Sequence, residues 1–290
     1  MPKGLIIKAL SGFYYVRTEE GVVACRARGK FRLDGVSPLV GDVVSFDMTA
    51  DGKGFVQSIA PRKNLFIRPA VANVDYLVLM CANVNPITDP FLVDRVAVIA
   101  EHAGCGCIIC INKCDLDPGD ELYEIFSSTA YPLIRTSAVT GEGVSELWEL
   151  IRGKTVAFAG NSGVGKSSLL NVIAPGYNVS VGEVSEVLGR GKHTTRHVEL
   201  IEAAGGFVFD TPGFSRLETD ELYASNLWQY FPEISSFHGE CRFRTCNHVG
   251  EPGCSVKQAL EDGIIAPSRY ENYVTLFNKL KEIKDWERKD

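Results

Sequence analysis

Two nucleotide-binding motifs stand in this chain in the reverse of their usual order. Residues Gly160–Ser167 follow the pattern G-x-x-x-x-G-K-S of a phosphate-binding loop. Residues Asn112–Asp115 read N-K-x-D, the form of a guanine-reading loop, and they precede the phosphate loop instead of following it. Because chain termini often lie close together, the old ends of such a domain can be joined and new ends opened elsewhere with the site intact. The short stretch 152–154 would make that join.

Length and composition describe an ordinary globular protein of two or three domains. The chain has 290 residues, of which 45% are hydrophobic and 23% charged. No apolar run approaches the roughly 20 residues of a membrane helix, and the first residues lack the apolar stretch of a signal peptide. The odd number of cysteines, nine, then indicates reduced thiols. We therefore expect a cytoplasmic protein without a membrane partner, and we also expect a monomer.

Residues 1–68 show short alternating strands broken by glycine, which predicts a small β-barrel of the OB-fold kind that binds RNA. They carry 11 Lys and Arg against 6 Asp and Glu, whereas the other 222 residues carry 19 against 30. Such a basic module would suit a polyanion. Four basic residues fall at every second position, which in a strand would put them on one face: Arg26, Arg28, Lys30 and Arg32. A solvated outer face of the barrel is the alternative.

Residues 69–220 alternate between apolar strands and amphipathic helices. The predicted strands are 74–81, 107–111, 132–136, 155–159 and 207–209, and the predicted helices are 90–103, 120–128, 144–151 and 167–173. Continuous apolar strands with helical crossovers are typical of a mostly parallel sheet covered on both faces. The sequence thus predicts a circularly permuted P-loop domain.

The phosphate loop also predicts a magnesium site. Successive N–H groups of such a loop point at phosphate oxygens, and the following helix adds its positive end. Lys166 would contact the β- and γ-phosphates, and the Ser167 hydroxyl would bind Mg²⁺. Nucleotide contacts are assigned to the whole loop: Gly160, Asn161, Ser162, Gly163, Val164, Gly165, Lys166, Ser167 and Ser168. A glycine-rich surface turn is the plain alternative.

Two further segments would complete the magnesium site. A D-T-P-G segment follows an apolar strand, so Asp210 would anchor Mg²⁺ and the amide of Gly213 would approach the γ-phosphate. A polar, glycine-rich loop at 189–196 would fold over the nucleotide when γ-phosphate is present. This loop would also supply the second hydroxyl ligand of Mg²⁺. We assign that ligand to Thr195, although the sequence does not distinguish Thr195 from Thr194.

The residue after D-T-P-G is Phe214, where many GTPases carry a glutamine that orients the attacking water. Phenylalanine cannot orient water, so intrinsic hydrolysis should be slow unless another group or a partner does so. His193 is the nearest candidate for this catalytic role, beside Lys166. A histidine that is merely exposed to solvent is the alternative.

The N-K-x-D segment predicts a preference for guanine. Asp115 can accept hydrogen bonds from N1–H and the N2 amine of guanine, whereas adenine would leave the carboxylate unpaired. Lys113 would lie over the base, and Asn112 would tie this loop to the phosphate loop. After the next strand, Ser137 and Ala138 would offer a backbone N–H to the O6 atom. GTP and GDP are therefore favoured over ATP as ligands.

Residues 221–290 hold a cysteine–histidine cluster and two helical patterns, and they read as a small helical domain. Three thiolates and one imidazole fall within 14 residues: Cys241, Cys246, His248 and Cys254. Such a Cys₃His set binds tetrahedral Zn²⁺ in closed structural sites, which leave no position open for catalysis. Four unconnected buried residues are the alternative. The R-F-R sequence at 242–244 would suit RNA contact, or equally a simple exposed loop.

Together these residues resemble the circularly permuted ribosome-biogenesis GTPases of the RsgA family. The resemblance rests on the N-K-x-D segment, the phosphate loop, G-K-H-T-T at 191–195, D-T-P-G-F and the Cys₃His cluster, and with the OB-like start it covers nearly the whole chain. It implies a cytosolic bacterial GTPase that acts late in assembly of the small (30S) ribosomal subunit, contacts 16S rRNA and is stimulated by that particle. It also implies that Phe214 and His193 belong to the family's activation scheme.

Two other functions stay open at this point. The chain could be a nucleotide-gated RNA-binding module in which hydrolysis is incidental, and undiminished biological activity of a Lys166→Ala variant would favour it. It could also be an ATP-using P-loop enzyme, which an unchanged nucleotide preference in Asp115→Asn would support. The motifs and the resemblance favour a GTPase with Mg²⁺ and one structural Zn²⁺.

Overall fold

The computed structural model describes residues 1–33, 35–50, 52–175, 198–210, 214, 219 and 221–283. Its first strands are β1 (Lys3–Leu10), β2 (Phe13–Thr18), β3 (Gly21–Ala27), β4 (Val43–Met48) and β5 (Gly54–Ile59), with a short helix, α1 (Lys30–Leu33), between β3 and β4. β1 pairs with both β2 and β4, β3 runs parallel to β5, and β5 pairs with β4. The sheet therefore closes on itself, and the predicted OB-like barrel is confirmed.

The predicted row of basic side chains on one strand face is wrong. β3 ends at Ala27, Gly29 lies in a turn, and Lys30 and Arg32 belong to α1. Side chains alternate between faces only within a strand, and glycine weakens strand pairing, so the alternation stops at this turn. Within β3, Arg26 stacks on Phe13, with its guanidinium carbon 4.5 Å from the ring centre.

A two-strand hairpin, β6 (Leu65–Phe66) and β7 (Val71–Ala72), leads into the central sheet. The strands of that sheet are β8 (Tyr76–Cys81), β9 (Gly106–Ile111), β10 (Leu133–Arg135), β11 (Thr155–Gly160), β12 (Glu199–Ala203) and β13 (Gly206–Asp210). Its helices are α2 (Pro90–Ala103), α3 (Asp120–Phe126), α4 (Val144–Ile151) and α5 (Lys166–Ile173). The spatial order is β10-β9-β8-β11-β13-β12, and neighbours are parallel except β12 and β13. The predicted mostly parallel sheet is confirmed.

The join that the permuted order requires lies between α4 and β11. Gly153, at φ 67°, donates its backbone N–H to the carbonyl of Ala204 at 3.0 Å. The carbonyl of Lys154 accepts from the amide of Phe207 at 2.9 Å. Because α4 ends beside the turn between β12 and β13, three residues are enough to enter the phosphate-loop strand.

Strand β12 is not among the predicted strands. It forms a hairpin with β13 across Ala204 and Gly205, which have φ values of 52° and 68° and suit a tight turn of the type I′ kind. Its sequence, E-L-I-E-A, mixes helix-forming residues into a short segment, so the sequence pattern does not indicate a strand. β12 also pairs with β1 through Lys8 and Glu199, whose side chains form a 2.8 Å ion pair. The barrel and the central sheet are thus one continuous sheet.

The carboxy-terminal region is helical and packs on α2. It contains a 3₁₀ helix (Ala224–Tyr230), α6 (Pro232–Ser235), α7 (Ser255–Glu261) and α8 (Pro267–Glu282). Its apolar core includes Leu227, Phe231 and Tyr273, and Val98 of α2 belongs to the same cluster. Among the described residues beyond 214 there is no strand, as predicted. No helix in the described ranges combines the length and apolarity needed to cross a bilayer.

A buried ionic network fastens α8 to α2. Arg269 donates from Nη1 to Asp94, and from Nε to Oε1 of Glu233 at 2.6 Å. Nδ2 of Asn272 donates to Asp94 Oδ2 at 2.6 Å. The side chains of Arg269 and Asp94 are each 1% exposed, so removal of one charge leaves the other buried without its partner.

Substitution of Arg269 by methionine should lower the free energy of unfolding by about 3–5 kcal/mol, because two carboxylates then lose their buried partner. Chemical denaturation of the full chain measures this. The matched control is Arg152→Met, whose ion pair with Glu149 is 64% exposed on both sides and should contribute only about 0–1 kcal/mol. Equal losses in the two variants would contradict a role for the network in fastening α8.

Candidate nucleotide-binding site and metal cluster

The phosphate loop connects β11 to α5 and requires glycine at its bends. Gly160, Gly163 and Gly165 have φ values of 139°, 81° and 100°, a region that other residues rarely adopt. A Cβ atom on Gly165 would lie 2.3 Å from Nδ2 of Asn112, and one on Gly160 would lie 2.3 Å from the carbonyl of Met80. The loop therefore takes this path only because these positions lack a side chain.

Lys166, the first residue of α5, is held inside the loop. Its ammonium donates to the carbonyls of Gly160 at 2.8 Å and Asn161 at 2.7 Å. Burial lowers the pKa of Lys166 to about 8. A phosphate beside this ammonium would favour the charged form of Lys166. The first turn of α5 contains no acidic residue that would compete with the phosphate for the ammonium. Ser167 and Ser168, next in the helix, are half-buried.

Asn112 joins the base-reading loop to the phosphate loop. It follows β9, is 2% exposed, and donates from Nδ2 to the carbonyl of Val164 at 2.9 Å. Its Oδ1 accepts from the hydroxyl of Thr136 at 3.1 Å. The two motifs, about 50 residues apart in sequence, are in direct contact, as the sequence predicts.

Asp115 is exposed at the mouth of this loop, and its carboxylate is fixed from one side. The Ser137 hydroxyl donates to Oδ1 of Asp115 at 2.6 Å. The same hydroxyl oxygen accepts from the amides of Val139 at 3.2 Å and Thr140 at 3.1 Å. Ala138 lies half-buried between them. The arrangement holds a carboxylate at a defined angle, as recognition of two parallel N–H donors needs.

Asn85 contacts the base-reading loop, although the sequence pattern does not indicate this. It lies in the loop after β8, and its backbone carbonyl accepts from the ammonium of Lys113. The adjacent Pro86 is the nearest neighbour that a Cβ on Gly163 would meet, at 3.5 Å. The available indication is position, since this loop leaves the carboxyl end of a buried parallel strand, the edge where such sheets bind ligands.

The strand that ends at Asp210 runs parallel to the phosphate-loop strand, with Phe209 opposite Ala157. Asp210 is half-buried and lies at the same edge of the sheet as Gly160. Phe214 is 1% exposed and packs edge-on against Phe66 at 5.5 Å between ring centres. The side chain of Phe214 is thus part of the hydrophobic core. The predicted His193, Thr194, Thr195 and Gly213 lie outside the described residues.

Four predicted metal ligands converge in the carboxy-terminal region. The donor atoms of Cys241, Cys246, His248 and Cys254 all lie within 4.8 Å of one another. Nδ1 of His248 lies 3.5 Å from the sulfur of Cys241 and 3.4 Å from that of Cys254, and those sulfurs are 4.0 Å apart. Tetrahedral Zn²⁺ would need about 3.6 Å and 3.8 Å for these separations, given its usual bond lengths. The donor set and its spacing therefore fit this ion.

The backbone of the cluster is shaped by its neighbours. His248 has a φ of 61°, and the Glu251 carboxylate accepts from the amides of Asn247 at 2.8 Å, Val249 at 3.1 Å and Gly250 at 3.0 Å. The hydroxyl of Tyr270 donates to the His248 carbonyl at 2.9 Å. Burial, with the nearby His238, lowers the pKa of His248 to about 4, so its imidazole is neutral near pH 7, as a metal ligand must be.

Family models and known proteins identify this arrangement. A model described as RsgA GTPase matches residues 59–220, and one described as RsgA N-terminal domain matches residues 3–56. A protein of Caldanaerobacter subterraneus named small ribosomal subunit biogenesis GTPase RsgA is 45% identical over 284 residues, covering 97% of this chain and 96% of the relative. A Geobacillus protein of the same name is 46% identical, covering 98% of this chain and 99% of its own.

Solved structures agree with these matches. The crystal structure of YjeQ from Thermotoga maritima has a TM-score of 0.85 at 40% identity and covers 98% of this chain and 99% of its own. That of YloQ, described as a circularly permuted GTPase, has a TM-score of 0.83 at 40% identity and covers 98% and 96%. These likenesses span the barrel, the permuted sheet and the helical region alike. The chain belongs to the RsgA family of circularly permuted GTPases.

Proposed function

We propose that this GTPase binds the small ribosomal subunit and acts late in its assembly, hydrolysing GTP faster on the particle than alone. The observation that carries the proposal is end-to-end likeness. The match to a relative named for small-subunit biogenesis has 45% identity over 97% of the chain. It therefore includes the barrel and the helical region as well as the GTPase domain. A monomer acting in the cytoplasm is part of the proposal, since the partner is a particle assembled there.

The nucleotide roles follow from the contacts of the two loops. Lys166 and the amides of the phosphate loop would hold the phosphates, and Ser167 and Asp210 would hold Mg²⁺ together with a threonine of the 189–196 loop. Asp115, fixed by Ser137, would read the guanine edge. The 2.9 Å hydrogen bond from Asn112 to Val164 supports this proposal, since it would fix the distance between the base and phosphate sites.

Catalysis would depend on a group other than the residue after D-T-P-G. The ring of Phe214 is turned into the core against Phe66 and Phe209, so this position supplies no atom to a water. We propose His193 for that role when the GTPase is bound to the particle. Slow intrinsic turnover and stimulation by the particle are the expected consequences.

The direct test is GTP hydrolysis by the full chain with and without 30S particles, with 50S particles as the matched control. We expect the rate to rise with 30S and not with 50S. A rate that is unchanged by either particle would contradict the proposed stimulation by the small subunit. The Lys166→Ala protein should remain at background throughout, which excludes a contaminating activity.

The barrel offers a better RNA-contact surface than the predicted basic row. A cavity of about 240 Å³ is lined by residues that include Phe13, Arg26, Lys53 and Phe55. Phe55 is 39% exposed, and Arg26 lies over the Phe13 ring. Aromatic faces beside cations suit unpaired bases and their phosphates. We propose 16S rRNA as the polyanion that this surface contacts.

Substitution of Phe55 by alanine should weaken 30S binding about 5- to 150-fold, the equivalent of one lost base stack of about 1–3 kcal/mol. Affinity for labelled particles measures the change. Val43→Ala is the control, since Val43 is also exposed (41%) on a barrel strand but lies outside the cavity. Equal affinity of the two variants would remove this surface from the RNA interface.

The metal roles are also proposed. We assign one structural Zn²⁺ to Cys241, Cys246, His248 and Cys254, whose donor separations fit a tetrahedron. Held there, the ion would crosslink the loop 241–254 and present its R-F-R tip to solvent. Phe243 in that tip is 45% exposed, and Arg242 lies over its ring at 5.6 Å, a second arrangement suited to RNA.

A further inference from the structure

We propose that His238 is a positioning residue for the metal site: stacked on Trp228, it accepts the hydrogen bond that aims the His248 imidazole at the metal. The inference rests on the proposed zinc binding by the Cys₃His set. His238 lies three residues before Cys241 and belongs to no motif. The four donor atoms account for all positions of a tetrahedral ion without it.

The two nitrogens of His248 face opposite partners. Nδ1 lies 3.5 Å and 3.4 Å from the sulfurs of Cys241 and Cys254, on the metal side. Nε2 lies 2.9 Å from Nδ1 of His238, with the rings nearly perpendicular at 80°. A neutral imidazole has one N–H and one lone pair. If the Nδ1 lone pair of His248 binds the metal, its proton is on Nε2 and Nδ1 of His238 accepts it.

His238 is itself fixed. Its ring stacks on Trp228 with centres 3.4 Å apart and planes at 6°, and its backbone amide donates to the Ser235 carbonyl at 3.1 Å. Trp228 belongs to the 3₁₀ helix that packs against α2 and α8. In the same helix, the hydroxyl of Tyr230 lies 2.9 Å from Nδ1 of His102 on α2.

The 3₁₀ helix whose Trp228 stacks on His238 therefore also contacts α2 of the GTPase domain, through Tyr230 and His102. Outer partners of this kind fix the ring orientation and tautomer of a metal-bound histidine, and their loss typically weakens metal binding 10- to 100-fold. The backbone contacts of Tyr270 and Glu251 place the His248 peptide, but they do not act on its ring. Away from the two sulfurs, the hydrogen bond described for the His248 ring is the one with His238.

Two substitutions distinguish the hydrogen-bond acceptor of His238 from its stacking on Trp228. His238→Phe keeps a flat ring for Trp228 but has no acceptor, whereas His238→Gln restores a carbonyl acceptor without the ring. Zinc affinity of the full chain is measured by competition with a chromogenic chelator. We expect about 10- to 100-fold weaker binding in the Phe variant and substantial recovery in the Gln variant. His102→Phe, which removes a hydrogen-bonded histidine outside the metal cluster, should leave zinc affinity unchanged.

Cobalt substitution distinguishes a positioning role for His238 from a role as a metal ligand. The absorption bands of tetrahedral Co²⁺ report its ligands, so the Phe variant should keep the Cys₃His spectrum at weaker affinity. Wild-type zinc affinity in the Phe variant, or failure of Gln to recover any, would overturn the proposal while the zinc site stands. Loss of the histidine contribution to the cobalt spectrum would make His238 a ligand and overturn it too. A wild-type chain without zinc affinity would refute the zinc site itself.

Discussion

A Cys246→Ser variant is expected to lose the proposed Zn²⁺ and, with it, the folded state of the helical region 222–283. Cys246, His248 and Cys254 are 2%, 0% and 6% exposed, so their side chains form part of the core of this region. Burial raises the pKa of Cys246 to about 12 and also raises that of Cys254, so both are neutral thiols without a metal. Structural zinc contributes about 10–16 kcal/mol in isolated zinc fingers, the largest single contribution expected in this chain.

Hydrogen exchange of α7 and α8, together with metal content, measures that loss. Protection in β8, β9 and β11 should persist, because the central sheet has its own core. Cys114→Ser is the matched control: Cys114 is half-buried in the base-reading loop, away from the cluster, and its replacement should keep both metal and protection. Full protection of α7 and α8 in a metal-free protein would show that the cluster has no structural role.

Asp115→Asn should lower GTP affinity by about 10²- to 10⁴-fold. Hydrogen bonds to a charged group contribute about 1.5–3 kcal/mol each, and guanine donates two of them to this carboxylate. An asparagine amide keeps one acceptor and turns an N–H₂ toward the N2 amine of the base. Xanthine has a carbonyl at that place, so the variant should gain affinity for XTP. Competition binding with the two nucleotides measures both changes.

Asp117→Asn is the control for this experiment. Asp117 lies two residues further along the same loop and accepts from the Gly119 amide at 2.8 Å, a contact that asparagine can keep. It should bind GTP as the unmodified chain does. If Asp115→Asn kept its preference for GTP over XTP, Asp115 would not be the residue that reads the base, and Ser137 would be holding it for another purpose.

The GTPase part of the fold is predictable because its determinants are local. Each buried strand is a continuous apolar run, and each motif sits immediately after one, so strand ends and site residues come together at one edge of the sheet. A contact of Asn112 with the phosphate loop is expected from that geometry, and the structure shows it at the carbonyl of Val164. The boundaries at 68 and 220 stay predictions, as do the nucleotide roles of the individual residues.

The rest depends on contacts between distant segments. Arg269 meets Asp94 across 175 positions, and nothing in either local sequence indicates the other. β12 is a strand because β1 and β13 flank it, not because of its own residues. The prediction of a basic row at 26–32 is wrong for a local reason, because the turn at Gly29 ends the alternation of side chains between the two faces of the strand. His238 is meaningful only once Trp228 and His248 are seen on either side of it.

Because hydrolysis on the particle would time release, we propose that the GTP form binds the small subunit more tightly than the GDP form. Co-sedimentation of the full chain with 30S particles, under GDP and under a non-hydrolysable GTP analogue, tests it most directly. The account predicts tighter association under the analogue, by about 5- to 150-fold as for typical coupling between two sites. Equal association under both nucleotides would contradict it.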